Sequence, residues 1–263
     1  MKEITILIIG DVIGQPGCRA LFSMLPEMRK ALRADMVIVN GENASEGFGL
    51  TPPLVQQFFA LGTHIITSGN HIWHNKDIYQ VLEDNPHVLR PANYPSPNPG
   101  RGMAIIEIKG IKVAVINMQG RVRMWPIDCP FKKSKELVRK ARAETPIIIM
   151  DMHADAPEEK EALAAWLDGD ISALVGTHTH VQTADERISA AGTAYLTDLG
   201  ATASRDSVIG FQPDISIQRS LTQMPLKNEV STNPAIVRGA LIRIDTVTGK
   251  ALSIERIAQA SAV

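Results

Sequence analysis

The chain has 263 residues, 44% hydrophobic and 21% charged, with 19 Gly and 16 Pro; this suits one large domain with a buried core and excludes disorder and collagen-like repeats. Lys and Arg number 27 against 28 Asp and Glu, a net charge of -1, so general binding to nucleic acid has no electrostatic basis. Cys18 and Cys129 are the only cysteines, too few for a disulfide framework.

Ile4 to Ile9 is an apolar run, shorter than the core of a signal peptide and far short of the roughly 20 residues that span a bilayer. It reads as a first strand, and no later segment sustains a span, so the expectation is a soluble, cytoplasmic protein with no membrane partner. Short apolar runs follow at Met36 to Val39, His64 to Thr67, Lys112 to Ile116, Pro146 to Met150 and Ala173 to Val175, with lengths that suit buried strands. Helices are predicted between them at Pro16 to Arg33, Pro52 to Leu61, Lys132 to Ala143 and Pro157 to Leu167, several opening on Pro or acidic residues. This alternation indicates an α/β fold. After about residue 185, strands are predicted at Arg187 to Ser189, Thr193 to Thr197, Ala235 to Ile244 and Ala251 to Ile257, as a second sheet with a hairpin at Val247 to Lys250. Arg90 to Gly102 and Gly200 to Pro225 are the longest irregular stretches. No repeat or linker divides the chain, which implies a single domain over residues 1–263.

The unusual polar residues follow the apolar runs. The first strand ends in Gly10-Asp11, the second in Asn40-Gly41-Glu42-Asn43 and the third in Ser68-Gly69-Asn70-His71; later ones end in Asp151-Met152-His153 and Gly176-Thr177-His178-Thr179-His180. In parallel α/β sheets the carboxyl ends lie on one edge, where ligands bind. Taken singly, Asp11 could cap a helix and Asn40 to Asn43 could form a tight turn. His178 and His180 on alternate strand positions would face one side. Together, Asp11, Glu42, Asn43, Asn70, His71, His153, His178 and His180 form a mixed nitrogen and oxygen set suited to divalent transition metals. These are more ligands than one ion takes, and two ions about 3.5–4 Å apart can stabilise both oxygens in phosphoryl transfer.

Gly10-Asp11, Gly69-Asn70-His71 and Gly176-Thr177-His178-Thr179-His180 resemble the GD, GNH and GxHxH blocks of calcineurin-like metallophosphoesterases. Asn40 to Asn43, Ser68 to Trp73 and Arg90 to Pro95 are similar, more narrowly, to bacterial YmdB-like 2′,3′-cyclic-nucleotide phosphodiesterases, a resemblance that continues through Thr197 to Gly200 and Asp206 to Gly210. It departs from the superfamily where Val12 and Ile13 follow Asp11 without a D-x-H histidine, where Glu42 replaces a bridging Asp, and where Ile72 follows His71. Ala201 to Ser204 differs from the Met-Thr-Gly-Pro type of sequence expected after Gly200.

The resemblance implies a four-layer sandwich of two mixed β-sheets flanked by α-helices. It assigns Asp11, Glu42, Asn43 and His180 to one metal and Glu42, Asn70, His153 and His178 to the other, with Glu42 bridging. It implies two divalent transition-metal ions, iron first with manganese or zinc as alternatives, and a hydroxide between them as nucleophile. His71 matches the histidine that contacts phosphate and can protonate the leaving oxygen; an orienting hydrogen bond to a ligand is its other role. The implied substrate is a 2′,3′-cyclic nucleotide or related phosphate ester, and the implied assembly a homo-oligomer. A phosphomonoesterase or 5′-nucleotidase, or a metal-loaded nucleotide sensor with little turnover, are the competing readings. Arg121 and Arg123 are candidate phosphate or base contacts; Trp73, Tyr94 and Trp125 could stack on a base, with packing as the simpler role.

Overall fold

The computed structural model describes residues 3–261. Residues 1, 2, 262 and 263, the ends of the expected single domain, lie outside the described residues. The first sheet contains β1 (Glu3–Ile9), β2 (Met36–Asn40), β3 (Ile65–Thr67), β10 (Ala203–Ser204), β11 (Ala235–Asp245) and β12 (Ala251–Ala260), in the order β10-β11-β1-β2-β3 with β12 added to β11. The second contains β4 (Met103–Ile108), β5 (Ile111–Gln119), β6 (Ile148–His153), β7 (Ala173–Thr177), β8 (Arg187–Ile188) and β9 (Ala194–Leu196), in the order β4-β5-β6-β7-β9-β8. Parallel pairs β1/β2/β3 and β5/β6/β7/β9 are joined to antiparallel ones at the margins.

Helices α1 (Gly14–Ala31), α2 (Pro52–Ala60) and α3 (Ile78–Asp84) supply residues to the core on one face of the first sheet, and α4 (Pro130–Arg142) and α5 (Pro157–Trp166) to the core on one face of the second. Prolines open α2, α4 and α5, where the missing N–H costs no intrahelical bond. Ile4, Ile6 and Ile8 of β1 enter the core between the sheets, and Leu7 and Ile9 the core under the helices. A strand covered on both faces has no polar alternation, which explains the continuous apolar run. The resulting layers are helix, sheet, sheet, helix, the sandwich that the resemblance implies.

The C-terminal strands do not form a sheet of their own. β11 sends Ala240, Ile242 and Ile244 between the sheets and Val237 and Leu241 toward the helices, so it is buried on both faces and pairs antiparallel along β1 from Glu3↔Asp245 to Ile9↔Gly239. β8 and β9 join the second sheet through β7. β4, absent from the sequence reading, pairs with β5 through a two-residue turn in which Lys109 and Gly110 have φ of 52° and 78°, the backbone of a tight hairpin without the usual Asn-Gly or Asp-Gly signal. The stretch from Gly200 to Pro225 is not irregular throughout: it holds β10 and α6 (Pro213–Thr222), a helix with no buried residue and hence no core-facing apolar stripe. Among the described residues no helix is long and apolar enough to cross a membrane.

Candidate metal centre

The two sheets bring the carboxyl ends of β1, β2, β3, β6 and β7 to one place. Asp11, Glu42, Asn43 and His153 are at most 1% exposed, while His71 keeps a side chain 24% exposed. Glu42 Oε1 accepts the backbone N–H of His71 (2.6 Å) and lies 3.5 Å from His153 Nε2. The same His153 nitrogen is 3.2 Å from Asn70 Oδ1 and 3.1 Å from His178 Nδ1. Asn43 joins the group through its amide, 3.0 Å from His180 Nε2 and 2.7 Å from His71 Nδ1. Asp11 Oδ2 accepts the backbone N–H of His178 (3.2 Å). The donors named from the strand ends therefore converge.

Gly69 allows this convergence. A Cβ at that position would lie 2.1 Å from His153 Cδ2 and 2.3 Å from its Nε2, so any side chain would displace the ring.

His178 and His180 arrive differently from the sequence expectation. β7 ends at Thr177, and the two histidines have φ of 101° and 65°; a left-handed turn, not strand alternation, delivers the rings. Such backbone costs of order 1–3 kcal/mol per residue and persists where surroundings hold it. Here Lys160 Nζ donates to Thr177 O (2.9 Å) and Asp198 Oδ2 (2.8 Å), and Asp198 Oδ2 accepts the Thr179 N–H (3.1 Å). One buried ion pair thus grips the turn on both sides of His178.

Ring orientation is set from behind. Thr177 Oγ1 donates to Asp151 Oδ1 (2.8 Å) and faces His153 Nδ1 at 2.9 Å. Having given its proton away, the hydroxyl accepts the Nδ1–H, which leaves the Nε2 lone pair pointing at Asn70 and His178. Asp151 Oδ2 is in turn held by Asn40 Nδ2 (2.9 Å) and Thr67 Oγ1 (2.5 Å). His180 Nδ1 donates to Ile209 O (3.1 Å), again freeing Nε2.

The electrostatics are those of carboxylates and imidazoles withdrawn from water. Burial, with the charge of Asp198 second, pushes the Asp11 carboxyl up, and burial with the charge of Asp11 pushes Glu42 well above its ordinary range. Burial lowers His153, His178 and His180, His178 to about 4, so the rings are neutral and their lone pairs available. Asp11 Oδ1 and Glu42 Oε2 are buried without any hydrogen-bond partner. Buried carboxylate oxygens without donors call for a cation, and the neighbouring imidazole nitrogens and amides complete a transition-metal donor set. Among the described residues no three His, Cys, Asp or Glu side chains stand as a ready group for an ion; the fit rests on the mixed donor chemistry, in which Asn43 and Asn70 take part.

Among the described residues Arg121 and Arg123 make no hydrogen bond or ion pair to this cluster. Arg123 pairs with Asp155 at 2.7 Å, and Arg121 Nη2 lies 3.4 Å from Cys129 Sγ. Trp73 packs edge-on against Tyr79 and Tyr94, while Trp125 is 79% exposed. Residues without an assigned role in the sequence reading are Asn40, Thr177, Lys160 and Asp198. Asp151, a carboxylate two positions before His153 at the end of an apolar strand, carried a visible signal, as did Asn40, Thr177 and Asp198 by standing inside the strand-end and family blocks; Lys160 carried none.

A family model described as YmdB-like protein matches residues 7–257. The 2′,3′-cyclic-nucleotide 2′-phosphodiesterase of Bacillus subtilis strain 168 is 43% identical over 252 residues, covering 96% of both chains. A crystal structure described as a novel phosphatase from Mycoplasma pneumoniae superposes with a TM-score of 0.94 at 33% identity, over 99% of this chain and 95% of that one. A hypothetical protein from Thermus thermophilus gives 0.91 at 35% identity, over 98% and 100%. Asp11, Glu42, Asn70 and the His178–His180 turn lie within the matched span, and the chain belongs to the YmdB-like protein family.

Proposed function

We propose that this chain is a two-metal phosphodiesterase that opens 2′,3′-cyclic nucleotides to nucleoside monophosphates. The observation that carries the reading is the pair of unpartnered buried oxygens, Asp11 Oδ1 and Glu42 Oε2, beside converging neutral imidazoles. Asp11, Glu42, Asn43 and His180 would hold one divalent ion and Glu42, Asn70, His153 and His178 the other, iron first with manganese or zinc as alternatives. When bound, the ions supply Lewis acidity toward the phosphate oxygens and acidify a water for attack at neutral pH.

The chain's own groups do the rest. Thr177 and the Ile209 carbonyl hold His153 and His180 with their Nε2 lone pairs inward. Exchanging the oxygen and nitrogen of the Asn43 amide, an assignment made from hydrogen bonding, sets its oxygen beside His180 Nε2 and its N–H against His71 Nδ1. His71 then keeps a proton on Nε2. Burial and the neighbouring histidines lower the His71 ring to about 4, so it meets the substrate as neutral imidazole and hydrogen-bonds the leaving ribose oxygen through that proton. Arg121 and Arg123 would touch the substrate from the rim. The same reading takes the enzyme as a homo-oligomer, with Ile217 and Leu221 of α6, 50% and 73% exposed, as an apolar face available to it.

The test is product formation from 2′,3′-cyclic AMP by metal-assayed protein, beside 3′,5′-cyclic AMP and p-nitrophenyl phosphate. Selective opening of the 2′,3′ ring is the expected result. Preference for the monoester would favour the phosphatase reading suggested by the Mycoplasma relative. Full metal occupancy with no turnover would leave a nucleotide sensor.

A further inference from the structure

The loop that delivers Glu42 and Asn43 does not end at the metal centre. Its next residues, Ala44, Ser45, Glu46 and Phe48, form one wall of a cavity of about 1030 Å³. Sites for one small ligand span about 300–1,000 Å³, and this space lies at the top of that range, with room for a base and an adjoining nucleotide. It is joined to the centre by aromatic rings: Phe48 packs edge-on against His71 at 5.0 Å and stacks on His74 at 5.4 Å. Phe48 is half-buried and also stacked on Phe211 at 6.0 Å, while His74 is exposed, so His74 offers the ring face of the kind on which a base stacks.

The charge of the lining is specific. Arg19, Lys76 and Lys227 line the cavity, and among the described residues none of them is within ion-pair distance of a carboxylate. Glu46 and Glu229 are the acidic members. Three cations against two carboxylates leave one positive charge, the complement of a single phosphodiester. Amides of Gln15, Gln57 and Asn228 add donors and acceptors for base edges.

We propose that this cavity receives the terminal base and the preceding nucleotide of a single-stranded RNA whose 3′ end carries the 2′,3′-cyclic phosphate. The preferred substrate is then a short RNA end, not the free mononucleotide. The assignment rests on the phosphodiesterase reading above. The cyclic phosphate lies at the donor cluster, the terminal base meets the exposed ring of His74, and the linking diester faces Lys76, Lys227 and Arg19. Such a substrate is the product of RNA cleavage by attack of a ribose 2′-hydroxyl on its own phosphodiester, so that class of reaction must supply it.

The experiment compares kcat/KM for 2′,3′-cyclic AMP and for the dinucleotide ApA ending in a 2′,3′-cyclic phosphate, at low and raised KCl, for the metal-replete wild type and for Lys76→Ala/Lys227→Ala. Both lysines are exposed, so the variant should fold. We expect the dinucleotide to be preferred by about tenfold or more, with the preference shrinking in salt and in the double variant. Equal turnover of the two substrates overturns the assignment, as does a preference that salt and both substitutions leave untouched. Hydrolysis of neither substrate at full metal occupancy overturns the phosphodiesterase reading itself, and the cavity assignment with it.

Discussion

Lys160 and Asp198 form an ion pair of 2.8 Å with both side chains fully buried, and the pair spans the left-handed turn that presents His178 and His180. Removing one member leaves the other charge in a dry interior. Lys160→Met should therefore destabilise the protein by about 3–5 kcal/mol, and Lys160→Met/Asp198→Asn should cost less than the single change. Denaturant unfolding of the metal-free proteins measures both. A single-variant loss below about 1 kcal/mol would mean that the turn is held by other contacts.

Gly69→Ala tests the close approach of a loop to a ring. The added Cβ would lie 2.1 Å from His153 Cδ2, and such overpacking costs about 1–3 kcal/mol. The fold should survive while the His153 nitrogen leaves its place, so metal content should fall with a modest drop in melting temperature. Retention of full metal content would show that the loop yields instead of the ring.

The legible part of the molecule was the part that puts chemistry on strand ends. Short apolar runs buried on both faces signalled β1, β2, β6 and β7, and a polar residue directly after such a run has only the sheet edge to occupy. Lys160 was not legible: within Pro157-Glu158-Glu159-Lys160-Glu161 it reads as one more solvated helix charge, yet it is fully buried. Asp198, within Thr197-Asp198-Leu199-Gly200, has no role visible in sequence, because its partners at residues 160 and 179 come together only through tertiary contact. Sheet membership of β11 was hidden for the same reason, since apolar alternation fixes which face is buried but not which strand lies alongside.

His64 should make stability acid-sensitive independently of the metal centre. Its Nδ1 accepts the Val37 N–H at 3.0 Å, and burial, with Arg29 second, lowers its pKa below 6.5. The folded state binds this proton less readily than the unfolded one, so the contribution is complete above the unfolded pKa and is lost as pH falls through the folded one. His64→Asn keeps an acceptor oxygen without the titration. Between pH 7 and pH 5 the urea midpoint of the wild type should fall further than that of the variant; parallel curves would remove His64 from the account.

Glu42→Gln should separate metal binding from folding. The carboxylate is fully buried, with Oε2 unpartnered and its pKa pushed well up by burial, so in metal-free protein it is a cost that the neutral amide relieves. The melting temperature of the metal-free variant should rise by about 2–4 °C for each kcal/mol gained. Metal content should drop at both positions, because Glu42 is proposed to bridge them. Elemental analysis beside calorimetry gives both numbers, and unchanged metal content would remove the bridge.

His71→Ala should divide chemistry from metal binding. The ring meets the cluster through Asn43 at 2.7 Å and lies 3.4 Å from Glu42 Oε1, while its backbone N–H makes the 2.6 Å bond to that carboxylate. Deleting the ring keeps the backbone bond and removes the proton proposed at Nε2. Turnover of 2′,3′-cyclic AMP should fall by about 10²–10³-fold, the range for one lost hydrogen-bond donor to charge developing in the transition state, with both metals still bound. A substrate with a better leaving group, such as the p-nitrophenyl ester of a nucleotide, needs less help at the leaving oxygen and should lose far less. Equal losses on both substrates would assign His71 to positioning the phosphate, and loss of metal would make it a support of Asn43.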